Sequence, residues 1–193
     1  FPDLPFSSNY TSFALALNGS EEPVVGLVES GECSQIKLYE WSNERWNSIP
    51  SPVDECTMGE VAISADESGL SVLLQTPKGV SAHQWSDEWS RLGSSTVHPP
   101  VLRHAAHPEI SAQMHLNRPR LVRDSYGVLK AIFGKRGKIT AFEFISGQWH
   151  PIGLGEINFR QEQATARPVA LGFNSPGHAY GIFTDLSPQE ING

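Results

Sequence analysis

The sequence predicts an all-β fold, a β-propeller of four-stranded antiparallel blades, with about three and a half blades in this chain. A turn signature recurs as Asp66-Glu-Ser-Gly69, Asp124-Ser-Tyr-Gly127 and Asn174-Ser-Pro-Gly177, each time between two short apolar runs. Asp or Asn opens such a turn by bonding its own backbone, and Gly closes it by accepting positive φ. A looser copy, Asn18-Gly-Ser-Glu-Glu22, precedes them, so the period is roughly 50 residues, the scale of stacked supersecondary units. The second observation is a further strand pair in each unit, and the third is an aromatic at the same place in each.

The first unit reads Phe13-Ala-Leu-Ala-Leu17, then Val24-Val-Gly-Leu-Val28, then Ile36-Lys-Leu-Tyr-Glu-Trp41, then Arg45-Trp46-Asn-Ser-Ile-Pro50. The second runs Val61-Ala-Ile-Ser64, Leu70-Ser-Val-Leu-Leu74, Val80-Ser-Ala-His-Gln-Trp85 and Glu88-Trp89-Ser-Arg-Leu-Gly93. In the third, Asn117-Arg-Pro-Arg-Leu-Val-Arg123 leads to Val128-Leu-Lys-Ala-Ile-Phe133, Ile139-Thr-Ala-Phe-Glu-Phe144 and Gln148-Trp149-His-Pro-Ile-Gly153. The fourth has only Val169-Ala-Leu-Gly-Phe173 and His178-Ala-Tyr-Gly-Ile-Phe183 before the sequence ends. Trp46, Trp89 and Trp149 hold equivalent places, which a packing role between blades explains directly.

The 193 residues, 39% hydrophobic and 18% charged, suit one domain, 1–193, with enough apolar side chains for a core. Seventeen Gly and fourteen Pro fit many short strands joined by turns. No run approaches a transmembrane helix in length. A formal charge of −7 excludes a nucleic-acid partner, whose phosphates need a basic face. The start at Phe1 points to a trimmed signal peptide or a cut boundary. Two glycosylation sequons follow at Asn9 and Asn18, while Asn174-Ser-Pro is not counted. Cys33 falls between the second and third strands of unit one, and Cys56 between that unit and the next. Those loops lie on one face of an up-and-down blade, so a Cys33–Cys56 bridge is expected, and with it an oxidising, secretory location.

Function is sought where the repetition breaks. The connection 93–117 is a one-off insert carrying His98, Arg103, His104, His107 and His115, and a connection of that length inside a domain is usually functional or disordered. Immediately after it come Arg118 and Arg120, and Arg167 matches Arg118 in unit four. First strands are innermost in a propeller, so these guanidinium groups are expected at the mouth of the central channel, where they suit an anionic or carbonyl-bearing ligand. The alternative is pairing with a channel carboxylate such as Glu60 or Glu162. His104-x-x-His107 has metal-ligand spacing, but Pro-rich flanks and the want of a clear third ligand beyond Glu109 or His115 leave no metal site predicted. The histidines are read either as a general acid and base near the channel or as polar residues of a surface loop. No Gly-x-Ser-x-Gly, phosphate-binding loop or dinucleotide fingerprint occurs, and no cofactor is expected. Trp41 and Trp85, one strand before the packing tryptophans, are candidates to stack on sugar rings between blades.

Units carrying Ile36-Lys-Leu-Tyr-Glu-Trp41 and the following Trp46 resemble the blades of secreted fungal fucose-binding propeller lectins, whose sites repeat between blades and use an Arg, a carboxylate and a Trp. Here an Arg opens the first strand only in units three and four, and His83 stands where unit one has Leu38 or Tyr39. A lectin that gains avidity from repetition should keep its ligands repeated. Sequons, one disulfide, a propeller pattern and a single polar site are also similar to those of secreted fungal hetero-Diels–Alderases that join tropolone units to a macrocyclic sesquiterpene. That resemblance implies a cofactor-free pericyclase: His104 or His107 would assist loss of water from a hydroxymethyl tropolone, Arg118 or Arg167 would hold the tropolone oxygens, and an alkene would capture the quinone methide. Arg120, His115, His98, Arg103, Trp85 and Trp41 would line the site. The expectation is therefore a small-molecule cyclisation enzyme, with a glycan-binding lectin as the alternative.

Three full units and a half leave bare sheet edges at both ends, which natural proteins cover. A second copy of the chain, or a companion fragment, is expected to complete the ring.

Overall fold

The structure is a computed structural model and describes residues 9–54, 56–57, 60–76, 79–93, 117–135, 138–152, 157–158, 166–173 and 179–185; for 79, 117–118, 133–135, 138–140 and everything beyond 152 it describes the backbone alone. The insert histidines His98, His104, His107 and His115, together with Arg103, lie outside the described residues.

Each sheet is built by local turn chemistry. The side chain of Asn18 accepts hydrogen bonds from the backbone N–H of Ser20 (3.0 Å) and Glu22 (2.9 Å), Asp66 from Ser68 (2.7 Å), and Asp124 from Tyr126 and Val128 (both 2.9 Å). Gly69 sits at φ 111°, and a Cβ there would stand 2.2 Å from the Trp85 carbonyl oxygen. The turn's final Gly is thus required twice, by its dihedral and by the neighbouring strand. The later hairpin turns use consecutive positive-φ residues, Asn43-Glu44 and Ser146-Gly147, the arrangement that matches strand twist.

The strands are β1 (Tyr10–Leu17), β2 (Pro23–Glu29), β3 (Gln35–Ser42), β4 (Arg45–Ile49), β5 (Ala62–Asp66), β6 (Gly69–Thr76), β7 (Gly79–Trp85), β8 (Trp89–Arg91), β9 (Asn117–Arg123), β10 (Leu129–Lys135), β11 (Lys138–Ile145), β12 (Gln148–Pro151), β13 (Ile157–Asn158), β14 (Ala166–Phe173) and β15 (Ala179–Asp185). They pair antiparallel in sequence order as β1-β2-β3-β4, β5-β6-β7-β8 and β9-β10-β11-β12, with a final hairpin β14-β15. The chain is all-β among its described residues, in three four-stranded meanders. The two-residue β13, which no periodicity announces, adds to β11 through Lys138↔Asn158 and Ile139↔Ile157.

Successive sheets pack face to face. Val24, Val28, Ile36, Leu38 and Ile49 of the first sheet meet Val61, Ile63, Leu70, Val72 and Leu74 at the second, and Ala62, Leu73, Val80 and Ala82 of the second meet Leu121, Leu129, Ala131 and Phe142 of the third. The middle strand β6 is therefore buried on both faces, which is why Val72, Leu73 and Leu74 follow one another instead of alternating with polar residues. The equivalent tryptophans lock neighbouring sheets together as expected. Trp89 Nε1 donates to the Pro50 carbonyl of the first sheet (2.8 Å), and Trp149 Nε1 donates to Leu92 of the second (3.2 Å). First strands lie side by side, β1 against β5, β5 against β9 and β9 against β14.

The expected disulfide is formed between Cys33 and Cys56, with Cα atoms 5.0 Å apart. Beside it, Thr57 donates from both its backbone N–H (2.8 Å) and its hydroxyl (3.1 Å) to the Ser34 carbonyl, so bridge and hydrogen bonds tie the same two loops.

Candidate functional site

Where the turns of the first two sheets meet, the sheets part into a cleft of about 400 Å³. Its polar wall is Asn18, Ser20, Glu40, Asp66, Glu67 and Ser86, and its apolar wall is Val24, Ile49, Ala65, Leu70 and the indole of Trp85. Glu40 is placed by β3, and its Oε1 accepts a hydrogen bond from Asn18 Nδ2 at 3.0 Å; the same nitrogen lies 3.5 Å from Glu22 Oε2. Trp85 closes β7 and is held against Trp89, ring centroids 5.2 Å apart, so its indole is a fixed wall.

Chemically the cleft offers carboxylates, which only accept, beside hydroxyl, amide and aromatic surface. Hydroxyl donors suit it, and anions do not, because Glu40 and Glu67 would repel them. The lining contains no Arg, Lys or His among the described residues.

The next sheet pair shows what keeps this cleft open. Counting back from each turn, Ala65 of β5 corresponds to Arg123 of β9, and Asn18 and Val24 of the first sheet correspond to Asp66 and Ser71 of the second. Arg123 reaches across to the second sheet, pairs through Nε with Asp66, donates from Nη2 to Ser71 Oγ (3.3 Å) and from Nη1 to the Gly127 carbonyl (2.9 Å). A guanidinium therefore stands where the first pair has a methyl group and space.

The same turn position is neutralised a third way in the third sheet. Lys130 lies 2.9 Å from Asp124 and 4.0 Å from Glu143, the counterpart of Glu40. Burial alone would raise the Asp124 carboxyl, but the Lys130 bond and the Val128 and Tyr126 N–H groups outweigh it and hold the group below its ordinary value.

A second cleft, about 650 Å³, runs along the first strands β1, β5 and β9. It brings Arg120 together with Glu60 among Phe13, Leu15, Ala62, Ile63 and Leu121, with Arg120 Nη1 donating to the carbonyl of Pro119 (3.2 Å). This is the region expected to hold the channel arginines. Arg118 and Arg167 fall on β9 and β14, where the backbone alone is described.

Of the sequence candidates, Trp85 lines the first cleft, whereas its counterpart Trp41 packs edge-on to Trp46 (5.3 Å) on the opposite face of the first sheet. Asn18, expected as a glycosylation acceptor, instead uses its amide within the cleft wall, and a glycan there would disrupt its bond to Glu40. His83 is buried in β7 with Nε2 3.0 Å from Ser81 Oγ; burial, assisted by the Arg91 charge, lowers its pKa to about 4. It is a neutral core histidine at ordinary pH. Sequence reasoning missed Glu40, Asp66 and Glu67 altogether. The signal that could have found them is the turn position itself, an amide at Asn18 and an acid at Asp66 and Asp124, while the preceding residue changes from Leu17 to Ala65 to Arg123.

No protein-family model matches the chain, and no curated protein sequence does. Among solved structures, a fucose lectin from Kordia zhangzhouensis in complex with methyl-fucoside is similar to it at 12% identity and a TM-score of 0.42, over 74% of this chain and 97% of that one.

Proposed function

We propose that the chain is a carbohydrate-binding β-propeller that takes a neutral sugar in the cleft between its first and second sheets. The observation that carries this reading is the cleft's make-up: the Glu40 carboxylate and Asn18 amide on one wall, the fixed Trp85 indole on the other, and no cation among its described lining residues. A neutral sugar presents hydroxyl donors to the acids and an apolar C–H face to the indole. The order of first strands, β1, β5, β9 and β14, supports a ring of sheets around a central axis. The disulfide suits an oxidising compartment, and we place the protein outside the cell or in the secretory lumen. The cyclisation reading is not carried further: four of its histidines lie outside the described residues, and the cleft that holds Trp85 lacks its arginines.

The test is calorimetry and a glycan array with the chain itself, using neutral monosaccharides that include methyl-fucoside, with sialic acid as the anionic control. Saturable binding of a neutral sugar, lost in Glu40→Ala and in Trp85→Ala, is expected. Binding of the anionic sugar alone, or neutral binding untouched by both substitutions, would overturn the assignment.

A further inference from the structure

Of the three acids that line the first cleft, two are engaged within the protein. Glu40 accepts from Asn18 Nδ2 at 3.0 Å, and Asp66 is paired with Arg123 of the third sheet. Glu67 differs from both. It is exposed in the turn between β5 and β6, and among the described residues its carboxylate meets no hydrogen-bond donor and no cation. A carboxylate that accepts nothing from its own chain keeps about four lone-pair sites for whatever enters the cleft.

The place of Glu67 is fixed although its charge is not satisfied. Gly19 faces it from the turn between β1 and β2, and a Cβ built on Gly19 would lie 2.9 Å from Glu67 Cγ, 3.0 Å from its Cα and 3.0 Å from its backbone nitrogen. The two turns therefore touch through a glycine, and a larger residue would have to push Glu67 away from the first sheet. Each turn is also anchored on its own side. Asn18, next to Gly19, accepts from the N–H groups of Ser20 and Glu22 and donates to Glu40, while Asp66, next to Glu67, accepts from Ser68 and pairs with Arg123. The repeat ties this contact to the open cleft. At the residue after the Asn or Asp that opens each turn, the four units read Gly19, Glu67, Ser125 and Ser175. Across the gap between the second and third sheets, Glu67 and Ser125 take the places that Gly19 and Glu67 hold across the first, and there the Arg123 guanidinium occupies the space. An uncommitted acid and the glycine that admits it occur together where the cleft is open.

We infer that Glu67 is a specificity-determining residue of the cleft, its carboxylate accepting a hydroxyl of the bound sugar at the mouth, and that Gly19 is the positioning residue that holds it there. The inference rests on the sugar-binding reading and adds to it a second carboxylate. Glu40 reads the sugar from within the wall, already sharing one oxygen with Asn18, whereas Glu67 has both oxygens to give. Hydrogen bonds to a charged acceptor contribute more than neutral ones, so the free acid carries a larger share of the selection for hydroxyl donors than its exposed position alone suggests.

The experiment is calorimetry on the purified chain with methyl-fucoside, methyl-galactoside and methyl-mannoside, comparing the parent with Glu67→Gln, Glu67→Ala, Gly19→Ala and the double variant Gly19→Ala/Glu67→Ala. Glutamine keeps the size of the side chain and removes only its charge. Glu67→Gln should therefore weaken whichever of the three sugars the parent binds by about tenfold, with circular dichroism and urea midpoint unchanged. Gly19→Ala should weaken the parent to a similar degree, yet add less than about twofold to Glu67→Ala, because it acts by moving that side chain. Ser125→Ala, the same turn position in the third sheet, should leave binding as it is. A Glu67→Gln variant that binds like the parent while Glu40→Ala does not, or losses that simply add in the double variant, would overturn the inference and leave the sugar site standing. A parent that binds none of the three sugars would overturn the sugar-binding reading itself, and this assignment with it.

Discussion

Lys130→Met should destabilise the fold by about 3 kcal/mol at pH 7, and the loss should shrink on acidification. The Lys130 and Asp124 side chains are 9% and 3% exposed, so removing the ammonium leaves a carboxylate buried without its countercharge. Breaking a buried pair from one side costs about 3–5 kcal/mol, and the lower end applies because Asp124 retains its two backbone N–H donors. Met keeps most of the packed stem, which separates the charge effect from a cavity. At a urea slope of about 2 kcal/mol/M, the midpoint should fall by roughly 1.5 M. The sign with pH follows from the depressed Asp124 carboxyl. In the parent its contribution is present above the unfolded pKa and is lost as pH falls through the folded value. In the variant burial acts without the lysine, the carboxyl rises, and its protonation as pH falls relieves the penalty. Adding Asp124→Asn should restore stability to within about 1 kcal/mol, because the first sheet already uses that solution: Asn18 donates to Glu40, and Glu143 is Glu40's counterpart. Urea titrations at pH 7 and pH 4 decide the matter. A loss under 1 kcal/mol at pH 7, or a gap between parent and variant that widens toward pH 4, would refute the reasoning.

The double change Cys33→Ser/Cys56→Ser should cost about 3 kcal/mol by loop entropy over the 23-residue separation, with the native loop still pinned by Thr57 on Ser34; denaturation that shows no loss argues against the estimate. His83, neutral when folded, should make stability fall by on the order of 3 kcal/mol as pH drops from its ordinary pKa to about 4, since the unfolded chain takes up the proton first; His83→Leu should flatten that part of the pH profile. Ala65→Arg should close the sugar cleft in the way Arg123 fills the next one and weaken calorimetric binding at least tenfold, on the order of 1.4 kcal/mol. Peptide mapping of protein from a glycosylating host should find Asn18 unmodified, its amide being held by Glu40.

Much of the fold is legible because its determinants are local. An Asx residue that bonds the N–H two positions on, closed at Gly69 and Gly127 by positive φ, is a property of a handful of consecutive residues, and its repetition located the first hairpin of each of the three four-stranded sheets. The disulfide followed from counting strands. What escaped was the non-local detail: β13 has two residues and no periodicity to betray it, and its pairing depends on where β11 begins. That the exposed residues of β1 are Phe13, Leu15 and Leu17 follows from register, since a slip of one residue would expose Ala14 and Ala16 instead.

The candidate site was harder to read because the repeat had to be compared across sheets rather than along the chain. The residues singled out were those that break the pattern, histidines of the insert and arginines opening first strands, whereas the cleft is made by residues that keep it. Asn18, Asp66 and Asp124 perform the same turn, and each must have its polar surplus satisfied. The first sheet answers with an amide donating to Glu40, the second borrows Arg123 from its neighbour, and the third inserts Lys130 between Asp124 and Glu143. The first answer leaves space beside the turn, because an amide–carboxylate contact lies within its own sheet, whereas at the second Arg123 must cross the gap to reach Asp66. One open cleft in this stretch, as the proposed sugar site requires, is then no contradiction of the repeats. Arg123→Ala should expose a second cleft walled by Asp66, Ser71 and Phe144, and calorimetric stoichiometry rising from one sugar per chain towards two would show that the arginine alone separates a structural turn from a binding one; a stoichiometry that stays at one with the fold intact would sink that account.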